Sequence, residues 1–202
     1  MGKIFYIMGK SASGKDTIFR ELKERCPQLG MVVPYTTRPI RAGEKNGVEY
    51  FFTDEAALAK MEAEHKIIEI RSYDTVHGIW KYFTAADGQI DLESSDYLMI
   101  GTLESYEKMR EYFGENGLVP VYIELDDGVR LERALEREKG QKEPKYKELC
   151  RRFLADEEDF KEENLVRCGI DRRYRNDDLR VCLEEICRDL KAVMEQGAGS
   201  RE

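Results

Sequence analysis

The chain has 202 residues, enough for one full domain with a sizeable buried core and too few for two independent ones. Its 33 Lys and Arg against 41 Asp and Glu give a formal net charge of -8, which argues against a general nucleic-acid or membrane-surface binder. Any anionic ligand must therefore meet a local basic cluster. The five cysteines, Cys26, Cys150, Cys168, Cys182 and Cys187, form no CxxC pair and have no suitably spaced histidines, so they predict free thiols rather than a disulfide framework or zinc site.

Residues 4–8 form a short apolar run predicted as a buried strand, too short for a signal peptide or a membrane span. The expectation is a soluble, cytoplasmic protein. Residues 16–26 predict a helix with Ile18, Phe19 and Leu22 on one side. Between strand and helix lies Gly9-Lys10-Ser11-Ala12-Ser13-Gly14-Lys15-Asp16-Thr17, a Gx4GK pattern in the context that a phosphate-cradling loop requires. Small residues let successive backbone N–H groups turn toward an anion, the helix N-terminus adds partial positive charge, and Lys15 reaches the transferable phosphate.

A short strand over 31–33 leads into an irregular segment, 36–47, carrying Pro39, Gly43 and Gly47. Residues 50–53 predict a strand, and Thr53 or Asp54 caps a helix through about Ala63. Strands are predicted over 67–73 and 76–84, with Asp74-Thr75 as the hairpin turn. Residues 97–100 and 119–125 are apolar runs of the buried parallel type, separated by a helix over 103–113. From 127 to about 163 the pattern is helical and highly charged, broken around 140–144. A last amphipathic helix covers 179–194, and 196–202 are expected to be disordered.

The cluster Thr36-Thr37-Arg38-Pro39, Arg41, Gly43-Glu44, Gly47 and Tyr50 resembles the TTRxxRxGExxGxxYxF segment of guanylate kinases, and Asn176-Asp177-Asp178-Leu179 matches the family's NDDL. Two guanidinium forks and a phenol on a glycine-hinged loop suit one phosphate dianion. The resemblance, together with the elements above, predicts a three-layer α/β P-loop NTPase fold. Its parts are a core (1–35, 95–125 and 164–195), a strand-rich NMP-binding insert (36–90) and a helical lid (about 127–163). The activity it implies is transfer of the γ-phosphoryl group of ATP to GMP or dGMP with Mg2+. Arg38, Arg41 and Tyr50 would hold the acceptor phosphate. Glu69 falls where the family's glutamate reads the guanine edge, unless it is an edge-strand carboxylate facing solvent. Lys15 with Arg133, Arg137 and Arg152, which look like lid arginines, would stabilise transferring charge.

Four positions depart from the family. Pro34-Tyr35 replaces a serine before TTR, and His77-Gly78-Ile79 replaces Tyr-Gly-Ser/Thr. Ile100-Gly101-Thr102 replaces Asp-x-Asp, and Asp16 stands where a magnesium-binding hydroxyl is usual. His77 either bonds phosphate or base or packs beside Trp80, and Thr102 replaces one acceptor. Asp16 is expected to help hold the metal, with Thr17 as the alternative hydroxyl. Two rivals remain: a kinase for another nucleotide or small molecule, and a silent protein-binding module. The kept glycine-lysine loop counts against the second. The sequence leaves the oligomeric state open.

Overall fold

The computed structural model describes residues 1–75 and 78–198. In chain order the elements are β1 (Ile4–Met8), α1 (Lys15–Arg25), β2 (Gly30–Met31), β3 (Tyr35–Thr36), β4 (Phe51–Phe52), α2 (Glu55–Ala63), β5 (Ile67–Thr75) and β6 (Gly78–Ala85). They continue with β7 (Tyr97–Ile100), α3 (Leu103–Phe113), β8 (Leu118–Glu124), α4 (Asp127–Lys139), α5 (Tyr146–Asp159), α6 (Glu162–Arg167), β9 (Arg173–Arg175) and α7 (Leu179–Ala198).

Five strands form one sheet in the order β2-β7-β1-β8-β9, and every pairing in it is parallel. Every residue of β1 is buried, because both faces of this central strand are covered. Successive side chains point to opposite faces. Ile4, Tyr6 and Met8 meet Leu103, Tyr106 and Met109 of α3, while Phe5 and Ile7 meet Ile18 and Leu22 of α1 and Cys182, Leu183 and Ile186 of α7. The result is an α/β sandwich of three layers, as the sequence implied.

A second sheet, β4-β3-β6-β5, is antiparallel except for the β3–β4 pair. It reaches the core through α3, which packs on β5. The predicted turn at Asp74-Thr75 is not a turn: Asp74 pairs with Ile79 and Thr75 with Gly78, so the ladder runs on. Gly78, at φ 104, has the left-handed backbone that a turn glycine supplies. The expected tail also starts too early, because α7 carries the chain in helix through Gln196 to Ala198. The two-residue β3 and three-residue β9 have no counterpart among the predicted strands.

Candidate functional site

At the C-terminal edge of β1 the chain turns into α1 through the glycine loop, the place where parallel α/β sheets bind ligands. Gly14 is the N-cap of α1 at φ 90 and offers no side-chain cap, so the first N–H groups of the helix stay available to an anion. A Cβ on Gly14 would collide with the Asn176 side-chain nitrogen. Asn176 is 3% exposed, and its Nδ2 donates to Ser13 O at 2.7 Å while its backbone N–H bonds Glu124 O at 2.9 Å. The residue after β9 thus clamps the loop from beneath. Lys15 lies beside Asp16, with Nζ 3.8 Å from a carboxylate oxygen, and the Asp16 side chain is 83% exposed.

The loop's other flank is held by the charged helices. Arg130 of α4 is 1% exposed. It donates to Asp127 (2.5 and 2.9 Å), Glu157 (2.8 Å) and Ser11 O (3.1 Å), and its guanidinium lies over the Phe153 ring at 4.8 Å. From α5, Asp156 accepts from Ser11 N–H at 2.8 Å and Glu157 from Lys10 Nζ at 2.7 Å. Burial raises the Asp127 carboxyl, but Arg130 and Lys10 outweigh it and hold the group below its ordinary value. Beside Lys10 and Arg130 a cavity of about 260 Å³ opens at the end of β8, bordered by Tyr122, Glu124 and Arg175.

Thr36 and Thr37 fasten the arginine loop to β6. The Thr36 hydroxyl donates to Lys81 O at 2.9 Å, and Thr37 Oγ1 accepts from Lys81 N–H at 3.0 Å. Arg38, 3% exposed, makes a bidentate pair with Glu44 at 2.7 and 2.6 Å and stacks on Tyr50 and Phe52 at 5.1 and 5.3 Å. Glu44 also accepts from the Arg41 backbone N–H at 2.8 Å, and the Arg38 guanidinium draws its carboxyl down to about 2. Exposed Arg41 sits over Trp80 at 5.9 Å. The Tyr50 phenol is pushed up, chiefly by burial and then by Tyr82. Arg71 and Arg38 oppose that rise and Asp16 adds to it.

Glu69 is not an edge-strand carboxylate facing water. Its side chain is 0% exposed and takes Arg71 Nε at 2.9 Å, Arg71 Nη2 at 3.2 Å and the Thr84 hydroxyl at 2.9 Å. Arg71 Nη1 also donates to Thr102 Oγ1 at 3.1 Å, and Thr102 caps α3 by accepting from Ser105 N–H at 3.2 Å. Burial lowers the Arg71 pKa, but the Glu69 carboxylate, with Tyr6 and Tyr73, outweighs it and the net direction is upward.

Lys15 and the loop from Gly9 to Thr17 thus lie at the sheet edge. Arg38 and Tyr50 come together with Glu44, and Glu69 meets Thr102 through Arg71. Arg133 and Arg137 are exposed on α4, and Arg152 of α5 is 53% exposed and engaged with Glu148 at 2.9 Å. The arginine that touches the phosphate loop is Arg130 instead. His77 lies outside the described residues. Sequence reasoning passed over Arg71, Arg130 and the role of Asn176. The i, i+2 spacing of Glu69 and Arg71 on one strand was a usable signal for the first, since it sets both side chains on one face.

A family model described as Guanylate kinase matches residues 1–79. Guanylate kinase of Thermobifida fusca is 40% identical over 67 residues, 33% of this chain and 34% of that protein. That of Legionella pneumophila is 38% identical over 68 residues, 34% of this chain and 32% of that protein. The chain thus spans about a third of the length of these relatives. Guanylate kinase of a Nostoc species is 27% identical over 191 residues, covering 92% of this chain and 87% of that one. In fold, the chain is similar to the crystal structure of guanylate kinase from Anaplasma phagocytophilum, with a TM-score of 0.63 at 18% identity over 95% of this chain and 85% of that one. No helix among the described residues is long and apolar enough to cross a membrane.

Proposed function

We propose that the chain is a member of the guanylate kinase family and transfers the γ-phosphoryl group of ATP to GMP or a close relative such as dGMP, a reading supported by the family model over residues 1–79, the Nostoc relative and the fold. One observation carries the reading: Arg71 of the second sheet bonds Thr102, which follows β7, the strand that pairs with β1 ahead of the phosphate loop. A donor phosphate on the loop and an acceptor phosphate on the arginine loop would then approach across one cleft. Transfer between phosphates needs mainly positioning and positive charge, and the residues here supply both. The α1 N–H groups and Lys15 hold the donor, Arg38, Arg41 and Tyr50 hold the acceptor, and the α4–α5 segment with Arg133, Arg137 and Arg152 closes over them. The test is an ATP phosphotransfer assay over the common ribo- and deoxynucleoside monophosphates. Turnover of GMP and dGMP is expected, and no transfer to any of them would overturn the proposal.

Mg2+ would supply neutralising charge between the phosphates. Among the described residues no group of three or more His, Cys, Asp or Glu is placed to hold a metal alone, so the ion would arrive with the nucleotide. Exposed Asp16 fits that role, because Mg2+ keeps several waters and takes one or two carboxylates; Thr17 follows it in α1. Asp16→Ala should weaken magnesium dependence several-fold and tighten metal-free ATP binding, while Asp16→Ser keeps most activity. ATP titrations with and without magnesium decide it; identical curves for Asp16→Ala and the parent would show that Asp16 does not serve the ion.

Arg38→Ala should weaken GMP binding about ten- to a hundredfold, since hydrogen bonds to charged groups contribute roughly 1.5–3 kcal/mol. ATP affinity should hardly change, because Arg38 belongs to the other phosphate. Calorimetry with each nucleotide separates the two, and equal losses would contradict a two-site arrangement.

A further inference from the structure

Inside the phosphate loop, alanine occupies a turn position that favours glycine. Ser13 N–H bonds Lys10 O at 3.2 Å, which closes a tight turn with Ser11 and Ala12 at its centre. Ala12 has φ 62, whereas Ser11 is not among the residues with positive φ, and that pattern is a type II turn. The left-handed backbone at Ala12 brings its Cβ close to the following carbonyl, a cost that glycine escapes. An alanine would relax toward type I, which takes a rotation of the central Ser11–Ala12 peptide by roughly half a turn.

The peptides on both sides of Ser11 are held against that rotation. Asp156 of α5 accepts from Ser11 N–H at 2.8 Å, and Arg130 of α4 donates to Ser11 O at 3.1 Å. These two side chains are 15% and 1% exposed and lie 3.6 Å apart, so each steadies the other. The C=O and N–H of a trans peptide point in opposite directions. With its carbonyl on Arg130, the central peptide therefore directs the Ala12 N–H away from the guanidinium, and that N–H has no hydrogen-bond partner among the described residues. Rotation would take Ser11 O off Arg130 and turn one donor toward another.

We propose that Asp156 and Arg130 are positioning residues of the donor site: they hold the Lys10–Ser13 turn in its type II form, so that the Ala12 N–H joins those at the start of α1 in meeting a donor phosphate. The inference rests on the reading that this loop binds the phosphates of ATP. It goes further in assigning the shape of the loop to side chains far outside the glycine-lysine motif. The Gx4GK spacing does not specify that shape, because the position that favours glycine carries a Cβ. A glycine at position 12 would need no such hold.

The test is calorimetric titration of ATP with magnesium into the full chain and into Asp156→Ala, Asp156→Asn, Ala12→Gly and Ala12→Gly/Asp156→Ala, each well below its melting midpoint. Asp156→Ala should weaken ATP binding about five- to tenfold, the competent population lost when an alanine is released from a left-handed backbone. Asp156→Asn should stay within about twofold of the parent, because its amide oxygen still accepts from Ser11 N–H. Within the Ala12→Gly background, the loss caused by Asp156→Ala should shrink to about twofold or less, since glycine takes that backbone unaided. A merely structural role for Asp156 would give the same loss in both backgrounds. ATP binding unchanged in Asp156→Ala, an equal loss with and without Ala12→Gly, Asp156→Asn as weak as Asp156→Ala, or no ATP binding by the parent would overturn the proposal. The expected order of affinities without phosphoryl transfer to any nucleoside monophosphate would overturn the kinase reading and leave the positioning role standing.

Discussion

Lys15→Ala should lower the turnover of ATP-dependent phosphoryl transfer about a hundred- to a thousandfold, the effect of removing one preorganised donor from transition-state charge. The side chain is 21% exposed, and its ionic contact among the described residues is the 3.8 Å approach to Asp16. Truncation therefore removes little that holds the fold together, and the thermal midpoint should move by no more than a degree or two. Steady-state kinetics at saturating ATP and GMP, alongside a melting curve, make the comparison. Parent-like turnover would remove Lys15 from the reaction, whereas a collapsed melting temperature would make the loss structural.

Arg130→Ala should have the largest effect on stability, up to about 3–5 kcal/mol, because it removes the buried cation shared by Asp127, Asp156 and Glu157 and leaves Lys10 alone to balance them. Arg130 is 1% exposed and joins Asp127, Glu157 and Ser11 O, with Asp156 at 3.6 Å. For a chain of this size the expected fall in melting temperature is roughly 10 °C. The sign of its pH dependence follows from Asp127, whose folded pKa is depressed from the ordinary 3.8. Its pairing with Arg130 stabilises the parent above that value and is lost as pH falls through the lower folded value. The gap between variant and parent should therefore narrow in acid. Half of the Asp127 side chain is in contact with water, so screening limits its own share of the effect. Melting curves from neutral pH to about pH 3 test this, and a gap that widens in acid would contradict it.

Local chemistry explains which parts of this fold were legible. β1, the glycine loop and α1 are written in one contiguous stretch, and Asp54 does cap α2 by accepting from Ala57 N–H at 2.8 Å. β3 and β9 were not legible because two or three residues carry no periodicity; their neighbours in the sheet define them. The misplaced turn has a similar cause. Asp74-Thr75 has turn composition, yet the ladder extends past it to the positive-φ glycine at 78. In the site, the arginine loop stood out through the resemblance of residues 36–50 to the guanylate kinase segment. Arg130 did not, because its partners Ser11 and Glu157 lie 119 and 27 residues away and nothing nearby distinguishes it from Arg133 or Arg137.

The hydrogen bond from Asn176 to Ser13 spans 163 positions of the chain. The phosphate loop leaves a ribosome well before the side chain that sets its floor. At about 5–20 residues per second, roughly ten to thirty seconds separate the two. Over that interval the nascent loop has its glycines and Lys15 but not the support that closes it from below. Nucleotide capture thus waits until synthesis has passed β9, and a chain cut short before β9 would carry the whole glycine-lysine motif without its closed form.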